Sequence, residues 1–230
     1  FDAAAQQALG TLRGSPAQPT DGFETAPRPT PPGASPSQTA HEATHVVQQQ
    51  QPPPTGSVAE KTLSIAQGEL GSVDPMKAGT EGKYHGWKHL QDIFEKTTGW
   101  RPTDAEMSSN KPGGKSWCGI FATHVLQEAG VNVKWDLTKG KMVGDVQQIM
   151  APSFHDYRTY KTERQAFEAS IKPGDVITLN NGTNHHAIVT SVNADGTVNT
   201  IDGNKPNIGE GHWKLADVTS YYRPTQLSEG

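Results

Sequence analysis

The chain holds one cysteine, Cys118, in the stretch "GGKSWCGIFATHVLQEAG", where a glycine pair precedes an amphipathic helical pattern. A thiol in the first turn of a helix faces unpaired amides and the positive end of the macrodipole, and both favour the thiolate. Nucleophilic chemistry at such a thiol also needs a base within hydrogen-bond reach and a third group that orients the base. Candidate bases are His185 and His186 in "NHHAIVTSV", and candidate orienting groups are Asp202 and Asn204 in "TVNTIDGN". Side chains alternate along a strand, so His185, Ala187 and Val189 share one face, while His186, Ile188 and Thr190 share the other. A small residue two positions past a histidine permits close approach of the cysteine helix, which points to His185. A lone cysteine also suits a buried structural role, and Trp117 beside it suits either a substrate groove or the core.

A second group with chemical spacing is "AHEATHVVQQQ". H-E-x-x-H on a helix places His41 and His45 on one face as zinc ligands, with Glu42 as a general base. Catalytic zinc needs a third protein ligand, and the flanking residues supply neither that ligand nor the apolar side chains of a pocket.

The elements that must position the first group are legible from residue 57 onward. Ser57 followed by Glu60 is the reciprocal capping pattern of a helix start, and Gly71 is a candidate terminator. "GWKHLQDIFEKTTG" places Trp87, Leu90, Ile93 and Phe94 on one helical face and stops at Gly99. A polar loop leads to the cysteine helix, whose Phe121, Val125, Leu126 and Ala129 face a core and which ends at Gly130. A further short helix is expected near "VGDVQQIM". "DVITL", "HHAIVTSV" and "TVNTID" then read as strands, with Asp195-Gly196 as a hairpin turn. Helices first and a meander of strands afterwards define an α+β domain.

Composition sets the outer frame. Ten of the seventeen prolines lie in residues 1–57, whereas all five Trp and all five Tyr lie after them. Residues 1–57 therefore read as a Pro/Gln-rich, mostly disordered segment carrying the HEATH motif, and 58–230 as the folded domain. A formal net charge of -4 and a pI near 6.1 disfavour nucleic acid as a partner. No apolar run approaches the roughly 18 residues that span a bilayer, so no stable membrane insertion is expected. No signal peptide is visible, and a single cysteine forms no internal disulfide.

In order, a helix-opening Cys, a "PGD" turn before a strand, an H-x-A-I-V strand and a polar residue closing the next strand resemble the CHAP and NlpC-type cysteine amidases and peptidases. Here these read "SWCGIFATHVLQEAG", "IKPGDVITL", "NHHAIVTSV" and "NTIDGN", over roughly residues 80–225. The resemblance implies a papain-like α+β fold with N-terminal helices packed on an antiparallel sheet. It further implies Cys118 as nucleophile, His185 as base, Asp202 as the acidic third residue and Asn204 as its alternative or a fourth polar member. His186 stands where the family carries an aliphatic residue, so it remains a second candidate for the base or a substrate contact. The implied reaction is hydrolysis of an amide, most often in the peptide part of peptidoglycan, with no cofactor needed at the cysteine.

"HEATHVVQQ" itself resembles the signature of metallopeptidase-like domains at the front of toxins loaded into contractile injection and type VI secretion machines. Together the two resemblances imply an injected effector that acts in the target cell or its periplasm. Its expected partners are a peptidoglycan or peptide substrate, a component of the secretion apparatus and a cognate immunity protein. The alternatives are a zinc metalloprotease using His41, Glu42 and His45, a cysteine hydrolase acting on a non-wall host substrate, and a non-catalytic binding module.

Overall fold

The computed structural model describes residues 56–180, 182 and 184–225. The HEATH motif therefore lies outside the described residues. Helix α1 (Val58–Gly68) opens with the expected capping box: the Ser57 hydroxyl accepts from the Glu60 amide, and the Glu60 carboxylate accepts from the Ser57 amide. A small β1–β2 pair (Asp74–Ala78 and Tyr84–His85) follows. Helix α2 (Trp87–Thr98) ends on Gly99 in the left-handed conformation, as its pattern requires. Two 3-10 turns occupy the polar loop before α3 (Cys118–Glu128).

A β3–β4 hairpin (Val133–Asp136 and Lys141–Gly144) leads into β5 (Val146–Met150). The helix expected near "VGDVQQIM" is thus two strands, of which β5 spans Val146 to Met150. The reason lies far along the chain, because β5 pairs along its whole length with β10 (Val218–Pro224). Helix α4 (Tyr157–Ser170) has no counterpart in the sequence reading; its start is marked by Asp156, whose carboxylate accepts from the Arg158 and Thr159 amides.

Strands β6 (Val176–Asn180), β7 (Asn184–Val192) and β8 (Thr197–Asp202) fall where the β-rich runs place them. The Asp195-Gly196 turn joins the last two, with Gly196 at positive φ. With β9 (Gly209–Lys214) they form a six-stranded antiparallel sheet of order β5-β10-β6-β7-β8-β9. An α+β domain with its N-terminal helices on an antiparallel sheet is the architecture observed. No helix among the described residues is long and apolar enough to cross a membrane.

Period-2 alternation gives the sheet two buried faces. On one, α1, α2 and α3 cover Val176, Ile188, Ile201 and Tyr222. On the other, Phe167 and Ile171 of the α4 region cover Ile177, Leu179, Ala187, Val189 and Tyr221. The "PGD" turn before β6 is tied to β10 through Asp175. Its buried carboxylate accepts from Arg223 Nε at 2.9 Å and Arg223 Nη2 at 2.7 Å, and from the Lys172 amide. Replacing Arg223 by Met leaves that carboxylate buried without its charge partner, so Arg223→Met is expected to lower the unfolding free energy by about 2–4 kcal/mol. Urea denaturation measures this, and Arg223→Lys, which lacks the two-pronged geometry, is expected to recover only part of the loss.

Candidate active site

Cys118 is the first residue of α3, and Trp117 before it makes no side-chain cap. The first-turn amides are therefore free to face a negative charge. Gly119 follows because Trp135 packs directly on the helix start: a Cβ at Gly119 would lie 2.1 Å from the indole. The same indole meets the His186 ring edge to face, with centroids 5.2 Å apart. Trp135 thus sets the position of both the cysteine helix and one histidine.

The two histidines leave opposite faces of β7, as alternation requires. His186 lies on the α3 side with Ile188, buried, its Nδ1 4.0 Å from Cys118 Sγ. His185 shares its face with Ala187, which packs on the α4 side. This corrects one step of the sequence argument, since Ala187 does not face the cysteine helix and its small size does not govern that approach. What distinguishes His185 is its partner. Ala187 is registered opposite Asp202, so His185, two residues earlier on the same face, is the diagonal neighbour of that carboxylate. His185 Nε2 lies 3.1 Å from Asp202 Oδ2. No carboxylate lies within ion-pair reach of His186 among the described residues.

Asp202 is fully buried and itself held in place. It accepts from Trp213 Nε1 at 3.0 Å and from the Thr200 hydroxyl, while Lys205 Nζ stands 4.0 Å away. Gly211 leaves room for it, since a Cβ there would lie 2.5 Å from Oδ2. Asn204 donates from Nδ2 to Ser116 Oγ at 2.9 Å, and Ser116 Oγ lies 3.6 Å from Cys118 Sγ, so of its two expected places it is found beside the cysteine as a further polar group. Its φ of 62° is a left-handed value that asparagine tolerates better than most residues.

Electrostatics follow from this geometry. Burial would push the Cys118 thiol up, but hydrogen bonding and charge from His185, then His186, outweigh it and bring the thiol down to about 5. Burial would likewise lower His185, yet Asp202 and the facing Cys118 sulfur raise it to about 9. These directions favour a thiolate–imidazolium pair near neutrality. His185 turns Nε2 to Asp202, whereas the ring nitrogen within 4.0 Å of the sulfur is Nδ1 of His186.

Cys118, His185, His186, Asp202 and Asn204 thus converge, directly or through Ser116. Trp117 does not line a groove: it is wholly buried, with its indole N–H donating to the Asn110 carbonyl at 3.0 Å. The Gly113-Gly114 pair answers to backbone conformation, as both residues have positive φ within a tight turn. His41, Glu42 and His45 lie outside the described residues. Sequence reasoning passed over Ser116, Trp135, Thr200 and Trp213. Only Thr200 carried a signal, since it shares a strand face with Asp202.

Residues 110–204 match the family model of the CHAP domain, a domain typical of amidases and peptidases. The match spans Cys118, His185 and Asp202 and supports a hydrolase in general. No curated protein and no solved structure matches the chain.

Alkylation of Cys118 by iodoacetamide requires the thiolate, so its rate is expected to rise through about pH 5 and then level off. A free thiol would instead rise near about pH 8.5, and such a profile would contradict the ion pair. Because Asp202 helps to raise His185, Asp202→Asn is expected to move the upper titration, near 9 in the wild type, to lower pH. Proton NMR of the imidazoles reads that change. Gly211→Ala, which crowds the same carboxylate, is expected to act in the same direction.

Proposed function

We propose that the chain is a cysteine hydrolase that cleaves an amide bond in the peptide part of peptidoglycan. The observation that carries this reading is the thiol of Cys118, drawn down to about 5 at an uncapped helix start beside a histidine held by a buried aspartate. The CHAP match over the same residues supports it.

The thiolate attacks the amide carbonyl carbon, and the carbonyl electrons move to oxygen. In this reading the backbone N–H groups at the uncapped start of α3, beginning with that of Cys118, donate to the oxyanion. Collapse of the tetrahedral species breaks the C–N bond as imidazolium His185 gives its proton to the departing amine, leaving an acyl thioester. Neutral His185 then takes a proton from water, whose oxygen attacks the thioester and releases the acid and the thiolate. Asp202 keeps the ring oriented and stabilises its charged form in both halves. His186, packed against Trp135, offers the sulfur a second ring nitrogen without a carboxylate to drive proton exchange.

The reading extends to context through "HEATHVVQQ". We read the chain as an effector delivered by a contractile apparatus, restrained in the producing cell by an immunity protein that blocks access to Cys118. Expression of the domain in a bacterial periplasm is then expected to arrest growth, and Cys118→Ala to relieve the arrest. Unimpaired growth would remove the effector reading.

Mass spectrometry of purified peptidoglycan tests the reaction itself. Wild type is expected to produce new amine termini within the stem peptides. Cys118→Ala and His185→Ala are each expected to lower kcat/KM by about 10⁴-fold or more while keeping the fold. A loss of similar size for His186→Ala, with His185→Ala active, would transfer the base role to His186. Activity is expected to follow a bell between the thiol near 5 and the imidazolium near 9, since the reaction needs the first deprotonated and the second protonated.

A further inference from the structure

Away from the cysteine, three side chains from three helices meet in one place. Glu69 caps the end of α1, His89 lies in the first turn of α2, and His124 lies in the middle of α3. His89 Nε2 is 2.7 Å from Glu69 Oε2, His124 Nε2 is 3.6 Å from Glu69 Oε1, and one ligand atom from each residue falls within 4.8 Å of the others. No sequence motif gathers them. His124 is 6% exposed, and neither of its ring nitrogens has a hydrogen-bond partner. A buried imidazole left in that condition is costly.

A cation resolves that cost. Ligand atoms placed tetrahedrally about 2.0–2.1 Å from a zinc ion lie about 3.3 Å from one another, close to the His124–Glu69 separation and too long for a good hydrogen bond. Two imidazole nitrogens and one carboxylate oxygen suit zinc and its neighbours in the first transition row, whereas calcium and magnesium require oxygen ligands. Support for the ligands is also in place. Ser72 Oγ donates to Glu69 Oε2 at 2.7 Å, and Glu128 Oε1 lies 3.9 Å from His124 Nδ1, on the side of the ring away from Glu69. Glu128 is itself paired with Lys96 of α2. Glu128 makes no hydrogen bond to the ring at that distance, but it is the carboxylate that would fix the tautomer of a ligating His124 by closing the gap. His89 is partly exposed, which gives an ion a route from solvent and leaves a fourth position for water.

We propose that Glu69, His89 and His124 bind one zinc-class divalent cation, which pins α1 and α2 to the helix that begins at Cys118. The site stands independently of what Cys118 cleaves.

The test uses the full chain, stripped with a chelator and titrated with Co2+ and then Zn2+. One equivalent of Co2+ is expected, with the visible absorption of tetrahedral cobalt. Zn2+ at about a hundredfold over its Kd is expected to raise the Tm by about 5–10 °C. His89→Gln, at a partly exposed position, is expected to abolish uptake with unchanged circular dichroism, and Glu128→Gln to weaken it by about 10–100-fold. Cys118→Ser and the double variant His41→Ala/His45→Ala are expected to bind as wild type does. Zinc is also expected to shield His89 of the wild type from diethyl pyrocarbonate, a readout that needs no variant. The proposal is overturned if no equivalent is bound or His89 is not shielded. It is also overturned if uptake survives His89→Gln or disappears with Cys118→Ser or with the HEATH double variant.

Discussion

A thiolate buried at the start of α3 is favoured only where a cation stands beside it. Removing Cys118 from water disfavours its charge, and the first-turn amides of α3 offset only part of that cost. The remainder comes from the imidazolium of His185, which is itself partly desolvated and depends in turn on Asp202. Asp202 is buried and accepts hydrogen bonds from Thr200 and Trp213. Each member is tolerable because the next is present, so the whole chain of contacts is coupled and its parts are not additive.

That dependence explains several residues with no chemistry of their own. Gly119 exists so that Trp135 can reach the start of α3, and Gly211 so that Asp202 has room. Gly203 lets the strand end pass Phe121 of α3, where a Cβ would lie 2.7 Å from the phenylalanine. Consecutive histidines at the start of β7 straddle the strand, so the sulfur at the helix start meets a ring from each face of the sheet. Only His185 has a carboxylate neighbour, and its pKa is raised in consequence. Adjacent identical residues thus acquire different chemistry from strand register alone.

How much of this could be read in advance depended on range. Ser57 with Glu60, Gly99, and Asp195-Gly196 are local devices, and the elements they bound stand where the residues place them. The placement of Cys118 at a helix start, His185 near a strand start and Asp202 at a strand end was legible because each follows from local periodicity. "VQQIM" was misread because its strand character comes from pairing with residues 220–224, and nothing within the segment itself announces that partner. Helix α4 escaped notice because most of its surface is polar and only Phe167 is buried. Trp117 was ambiguous for a related reason: an aromatic beside a nucleophile has the same letters whether it faces a substrate or the core. Ala187 was assigned to the correct face of its strand, but which helix covers that face is a topological fact.

The order β5-β10-β6 has a consequence for how the domain is made. Strand β10 follows every other described strand in the chain, yet it lies inside the sheet and contributes Tyr222 to one core and Val218 and Tyr221 to the other. During synthesis the cysteine, both histidines and Asp202 emerge before the strand that closes the hydrophobic layers beneath them. Its pairing with β5 joins segments far apart in the chain, a kind of contact that slows folding. A nascent chain therefore carries these side chains for a time without the strand that completes the sheet around them.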